Sequence, residues 1–286
     1  MEKFYKLGPV TLCMRNWPKD LRWPFATWKL DAYSAPAAPV DILAEYDPAF
    51  AVEETENWRI LENTATAKRM EQQLPDGWIL WKQVGFDGNT LQFALCPEES
   101  RIVLVKDTTN SCGMAAVEAL TFFIFPMLLK HHILSIHSVL LEHNGQGILV
   151  AAPSETGKTT HARLWRDTKN ALILNGDRAA CYQKDGKWMA FGTPWCGTSG
   201  EHINRCVPVR ALVLLRRGEK NEILPLRSRE ILMQMMPLLT QPLSHHMQGS
   251  LLDMLDAFLK AVPVVGLACT PDAAAVDTLE NYLQKL

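Results

Sequence analysis

The run Ile148-Leu149-Val150-Ala151 followed by Ala152-Pro153-Ser154-Glu155-Thr156-Gly157-Lys158-Thr159-Thr160 constrains this chain more than any other segment. The four apolar residues read as a buried strand, and Ala162, Leu164 and Trp165 mark an amphipathic helix after the loop. Between them, Ala152 to Thr160 matches the phosphate-loop pattern G-x-x-x-x-G-K-[ST] except that Ala152 stands where the first glycine would be. A loop in this position, formed by Pro153, Ser154, Glu155, Thr156, Gly157, Lys158, Thr159 and Thr160, turns backbone amides towards an anion and adds the positive end of the helix dipole. Gly157 supplies backbone freedom where the chain crowds phosphates. Lys158 is suited to neutralise β- and γ-phosphate oxygens, and the Thr159 hydroxyl to coordinate magnesium. The expected ligands are therefore ATP or GTP and Mg2+. A carboxylate beside polyphosphate is repelled, so the Glu155 side chain is expected to point away and only its backbone to take part.

The remaining composition agrees with a globular enzyme. At 286 residues, with 48% hydrophobic and 21% charged residues, the chain has room for one large domain or two modest ones. A net charge of -2 gives no general pull towards nucleic acid or an anionic membrane. The seven cysteines, Cys13, Cys96, Cys112, Cys181, Cys196, Cys206 and Cys269, are odd in number and show no C-x-x-C pair, which fits reduced thiols in a cytoplasm. The start Met-Glu-Lys-Phe-Tyr lacks the pattern of a signal peptide. The apolar stretch Ala115 to Ile136 carries Glu118, Lys130, His131 and His132 and is interrupted by Pro126, so it reads as a buried, kinked helix rather than a membrane span.

Two regions are expected. Residues 1–110 hold six of the nine tryptophans and short apolar runs such as Trp78 to Trp81 and Leu91 to Leu95, the texture of a smaller β-rich or mixed region whose tryptophans pack in a core. Residues 111–286 alternate strands with longer helical patterns, the texture of an α/β nucleotide-binding domain. His137 to Glu142 and Gly147 to Ala152 are expected to pair about Asn144-Gly145, and Ala180 to Gln183 with Trp188 to Phe191 about Asp185-Gly186. Strands are expected at Ala171 to Leu174 and Arg210 to Leu215, and helices at Ser228 to Leu239 and Leu251 to Ala261. A last helix is expected to begin at Thr270 as N-cap, with Pro271 in its first position.

These residues resemble the kinase domain of the HPr kinase/phosphorylase family, within the phosphoenolpyruvate-carboxykinase-like P-loop proteins. The resemblance runs from His137 before the hairpin, through Ala152 to Thr160, to Asp177 after the next strand, and covers roughly residues 130–280. Uncharacterised bacterial members resemble this chain more closely in Asn175-Gly176-Asp177-Arg178 and in Gly192-Thr193-Pro194-Trp195-Cys196-Gly197. Kinases that modify peptides during ribosomal peptide maturation share the domain. The resemblance implies magnesium-dependent transfer of phosphate from a nucleotide to a hydroxyl on a peptide, a protein or a small molecule, and it is compatible with a homo-oligomer. In HPr kinase two adjacent aspartates follow this strand, one implied as catalytic base and one as a magnesium contact. Here the pair is Gly176-Asp177, leaving one acid for two roles.

Asp177, nineteen positions after Lys158, is the first candidate for base and metal ligand, and a parallel sheet would bring it beside the phosphate loop. The resemblance implies that His137 aids that acid, by orienting it or by sensing pH. Arg178 is suited to meet charge developing on the γ-phosphate. Gly192 to His202 is polar enough for a substrate or lid loop, within which Cys196 reads as an inert thiol; Ser244, His245 and His246 read as solvent-exposed. The competing function is a nucleotide-binding regulatory or accessory module without transfer activity.

Overall fold

A computed structural model of the chain describes residues 2–17, 30–109, 114–242 and 247–286. Cys112, Ser244, His245 and His246 lie outside the described residues. The chain divides into two compact units, Met1–Met127 and Leu128–Leu286, so the division falls later than the boundary near residue 110 expected from sequence. Aromatic packing accounts for the difference. Phe122 and Phe123 both lie against Trp81, with ring centroids 5.8 and 5.6 Å away, and Phe123 also meets Phe93 at 5.2 Å, which ties their segment to the first unit.

The first unit is built on a nine-stranded sheet. Its strands are β1 (Glu2–Leu7), β2 (Val10–Arg15), β3 (Ser34–Ala35), β4 (Ile42–Tyr46), β5 (Arg59–Asn63), β6 (Ala67–Gln73), β7 (Ile79–Gly85), β8 (Thr90–Leu95) and β9 (Arg101–Asp107). They lie in the order β3-β1-β2-β4-β9-β8-β7-β6-β5, with β4 parallel to both β2 and β9 and the other pairs antiparallel. The apolar runs at Trp78 to Trp81 and Leu91 to Leu95 become the antiparallel pair β7 and β8, with Leu80 opposite Ala94. Trp81 is buried, and Trp58 and Trp78 pack against Leu80, Ala94 and Val103.

The stretch Ala115 to Ile136 departs from a single kinked helix. It forms α1 (Met114–Ala119) and α2 (Thr121–Lys130), and the chain then turns through His132 at φ 56° into a strand. Ile133 to Ile136 find a sheet partner opposite Tyr182 to Ala179, which outweighs the helical continuation. Among the described residues, no helix is long and apolar enough to cross a membrane.

The second unit runs β10 (Ile133–His143), β11 (Gln146–Ala151), α3 (Lys158–Lys169), β12 (Leu172–Asn175), β13 (Arg178–Lys184), β14 (Lys187–Phe191), β15 (Cys206–Arg217), β16 (Glu222–Leu224), α4 (Ser228–Met235), α5 (Gln248–Ala261), β17 (Val264–Cys269) and α6 (Ala273–Leu283). Both expected hairpins are present. Asn144 and Gly145 take φ 51° and 75°, and Asp185 and Gly186 take φ 51° and 74°, the left-handed pairs that two-residue turns between twisted strands require. The helix at the C-terminal end differs from expectation: Asp272 is its N-cap, accepting from Ala275 N, and Pro271 precedes the cap. The Asp272 carboxylate reaches the third helical amide, while the Thr270 hydroxyl donates to that same carboxylate at 2.6 Å.

Pairing in this unit closes on itself. β11 pairs with β10, β10 with β13, β13 with β14, β14 with β15, and β15 returns in parallel to β11; β12 joins β10, and β17 and β16 extend the sheet from β15. Side chains alternate between two cores. Ile148, Val150, Ala211 and Val213 face the cluster holding Trp165 of α3 and Leu279 of α6, whereas Leu149, Ala151, Leu212 and Leu214 face the cluster holding Leu255 and Phe258 of α5. Covered on both faces, β11 and β15 hold the loop that leaves Ala151 against a rigid base.

Candidate functional site

The register of β10 explains why distant residues meet. Ser138 lies opposite Ala151, the last residue of β11, and the same stretch of β10 lies opposite Arg178 on its other side. A bulge between His137 and Ser138 lets both face Arg178, a device that re-aims a side chain at a strand edge. β12 is antiparallel to β10, as β11 is, so β11 and β12 run in the same sense and deliver Ala152 and Asp177 to the same end of the sheet. The expected adjacency within a parallel sheet is therefore corrected, because β10 lies between the two strands.

Gly157 caps α3 with φ 119°, a conformation glycine alone adopts cheaply, and among the described residues no side chain caps the helix there. The first-turn amides of Lys158, Thr159 and Thr160 thus have no partner within the helix. Glu155 also has positive φ, 63°, a strain of about 1–2 kcal/mol for a residue with a Cβ. Arg217, at the end of β15, steadies that backbone: its guanidinium donates to the carbonyl of Glu155 and, at 3.4 Å, to that of Thr156. Pro153, Ser154, Glu155 and Thr160 are exposed, and Thr156, Gly157 and Thr159 half-buried.

Lys158 differs from its neighbours in being 7% exposed. Its ammonium donates to the carbonyls of Ala152 at 2.8 Å and Pro153 at 3.2 Å, so the loop folds around its own cation. Burial pushes the Lys158 pKa down, against the opposing charge of Asp177. On the carboxylate side, His137 Nε2 lies 3.0 Å from Asp177 Oδ1 and Arg178 Nε 3.9 Å from Oδ2. Burial alone would raise the Asp177 carboxyl; the hydrogen bond and charge of His137, with the charges of Arg178 and Lys158, outweigh it and hold the group below its ordinary value. Arg178 also donates to the Thr240 hydroxyl at 3.3 Å.

This pairing sets a pH dependence. Because the folded pKa of Asp177 is depressed, its contribution to stability is present above the ordinary carboxylate range and is lost as pH falls through the folded value. His137→Phe removes the largest lowering contribution and leaves burial, so the titration midpoint of Asp177 is expected to move to higher pH. A carboxyl-carbon NMR titration of both proteins measures it, and an unmoved midpoint would show that His137 does not hold the acid.

Asn175, to which sequence assigned no separate role, organises the turn before Asp177. Its side chain is fully buried; Nδ2 donates to the Thr193 carbonyl at 2.8 Å and the Trp195 carbonyl at 3.3 Å, while Oδ1 accepts from the amides of Asp177 at 2.9 Å and Arg178 at 2.6 Å. Asparagine before glycine is a turn signal, and that was the available clue. The Gly192 to His202 segment is correspondingly less of a free lid than its polarity implied, since Thr193, Trp195 and Cys196 are buried against this turn. Its Glu201 carboxylate accepts from Arg166 of α3 at 2.9 Å.

Beside the loop opens a cleft of about 380 Å³, lined on one side by Thr156, Gly157, Thr160, His161 and Leu164 and on the other by the ends of β15 and β17. His161 is 3% exposed, and burial pushes its pKa down to about 4. Neither the cleft nor Arg217 was read from sequence. Arg217 lies some 60 residues beyond the loop it braces, and no local pattern announces such a contact.

Residues 102–241, a little under half of the chain, match the model of the family described as SynChlorMet cassette protein ScmC. No curated protein matches the chain. Among solved structures, the HPr(Ser) kinase/phosphatase from Coxiella burnetii aligns at 13% identity and a TM-score of 0.32, over 53% of this chain and 97% of that one. A likeness of that extent is too slight to bear on chemistry.

Proposed function

We propose that this chain is a magnesium-dependent P-loop kinase that transfers the γ-phosphoryl group of ATP, or of GTP, to a hydroxyl on a peptide, a protein serine or a small metabolite. The observation that carries the reading is the convergence of a buried Lys158, the uncapped start of α3 and the anionic Asp177–His137 pair at one end of the sheet. Amides and an ammonium complement the polyphosphate, and a carboxylate held in its charged form complements a cation. Thr159 and Asp177 are hard oxygen donors of the kind magnesium takes. Magnesium ordinarily keeps several waters and takes substrate phosphate oxygens beside one or two protein oxygens. When bound, that ion would neutralise charge on the transferring phosphate.

In the proposed reaction the acceptor oxygen bonds to the γ-phosphorus as the bond to the β–γ bridging oxygen breaks, and the nucleoside diphosphate leaves with the electron pair. The hydroxyl proton passes to Asp177. A carboxylate with a depressed pKa is a weak base, so this transfer belongs late in the step, once the attacking hydroxyl has become acidic. The test is incubation of the full chain with γ-labelled nucleotide, magnesium and a host-cell extract. Asp177→Asn is expected to cut the labelled product by roughly 10²-fold or more while nucleotide still binds. Equal labelling by the variant would remove Asp177 from the chemistry.

One observation favours a second reading, a nucleotide-binding module without transfer activity. A Cβ at Gly176 would lie 1.8 Å from Ser199 Oγ and 2.9 Å from the Cys196 carbonyl, so this position has no room for a second carboxylate. Tight nucleotide binding with no labelled product in any extract is the result that reading requires.

A further inference from the structure

We infer that the cleft beside the loop receives the nucleobase of the bound nucleotide, with His161 Nδ1–H as the donor that meets a base acceptor. The inference rests on the nucleotide reading above and adds the residues that would recognise the part of the ligand the phosphate loop does not touch.

Three observations converge. The cleft begins at the loop itself, with Thr156, Gly157 and Thr160 on its wall, so a molecule whose phosphates lie on these amides has its remainder next to this space. Its volume, about 380 Å³, falls within the range of small-ligand pockets, about 300–1,000 Å³, and its walls combine apolar surface from Leu164, Leu215 and Pro271 with a few polar groups.

The third observation concerns His161. The indole Nε1 of Trp165, which can only donate, lies 3.0 Å from His161 Nε2, so Nε2 accepts and the imidazole carries its proton on Nδ1. That Nδ1 is buried and has no hydrogen-bond partner among the described residues. A buried donor left unmatched is uncommon in a folded protein, and here it belongs to one of the residues that line the cleft. Every nucleobase offers a ring nitrogen or carbonyl oxygen that would satisfy it. An inorganic polyphosphate offers only oxygens that the loop already engages.

The experiment is calorimetric titration of the full chain with magnesium and, separately, ATP, GTP and inorganic tripolyphosphate. The unaltered chain is expected to bind at least one nucleotide about tenfold or more tightly than tripolyphosphate. Leu164→Trp, which fills the cleft, is expected to bring nucleotide affinity down to that of tripolyphosphate and to leave tripolyphosphate binding unchanged. His161→Phe keeps the ring and removes the donor, and is expected to weaken nucleotide binding about tenfold. Because Trp165 loses its acceptor in that variant, Leu164→Trp decides the matter if His161→Phe fails to fold. Nucleotide and tripolyphosphate binding equally to the unaltered chain, or nucleotide affinity indifferent to Leu164→Trp, would overturn the cleft assignment alone. Failure of all three anions to bind would overturn the phosphate-loop reading and the cleft with it.

Discussion

Lys158→Ala is expected to lower nucleotide turnover by roughly 10²- to 10³-fold, the loss that follows removal of one preorganised donor to developing charge. The side chain is almost completely enclosed, and its ammonium is held by the carbonyls of Ala152 and Pro153 within the loop. A cation so held needs little reorganisation to face a phosphate, since it exchanges two neutral acceptors for anionic ones at the same helix start. The variant also loses hydrogen bonds made by a charged group, worth about 1.5–3 kcal/mol for a typical example, so its melting temperature is expected to fall as well. Lys158→Met separates the two effects. It keeps the aliphatic stem and its packing but no charge, so a loss caused by loosened structure would be largely restored, whereas a loss of charge neutralisation would not. Turnover within threefold of the unaltered chain in a folded Lys158→Ala protein would end the role assigned to this residue.

The features legible in the sequence are those whose physical cause is local. Asn144-Gly145 and Asp185-Gly186 announce their hairpins because left-handed backbone is tolerated by few residue types, and Gly157 announces the loop for the same reason. The strand before that loop and the helix after it follow from hydrophobic spacing, as do the two faces of β11 and β15. Register is different in kind. Nothing in the residues near Asp177 states that β10 separates β12 from β11, or that a bulge at His137 brings that ring to the carboxylate. The placing of Phe122 and Phe123 in the first unit has a similar cause, since their anchor is Trp81, some 40 residues earlier. Gly176 is the most instructive residue. In the sequence it is a missing acid; in the fold its lack of a side chain lets Cys196 and Ser199 close on the turn before Asp177. Gly197 completes this approach from the other side, since a Cβ there would lie 2.9 Å from the Asp177 Cβ.

Gly192→Ala is expected to be the most damaging small substitution in the second unit. An added Cβ would stand 2.2 Å from the Leu174 carbonyl oxygen and 2.3 Å from that of Ile203, both well inside contact distance. Both obstacles are backbone, so no side-chain rotation relieves the clash. The Ile203 amide donates to Leu174 O at 2.9 Å, the Gly192 amide donates to Arg205 O at 3.3 Å, and Asn175 bridges to His202. Separating those segments would pull on the turn that Asn175 holds in front of Asp177. Overpacking ordinarily costs about 1–3 kcal/mol, and a clash against two carbonyls lies at or above the top of that range. For a unit spanning Leu128–Leu286, about 3 kcal/mol corresponds to a fall of roughly 6–12 °C in melting temperature. Gly249→Ala provides the contrast: it sits in the first turn of α5 with no described atom within 4 Å of the added Cβ, and alanine is expected to stabilise the helix by no more than the about 0.5–1 kcal/mol of an interior site. Thermal melts of the two variants are expected to move in opposite directions, and a Gly192→Ala protein that melts with the unaltered chain would mean that the Leu174 and Ile203 backbones do not close on this position.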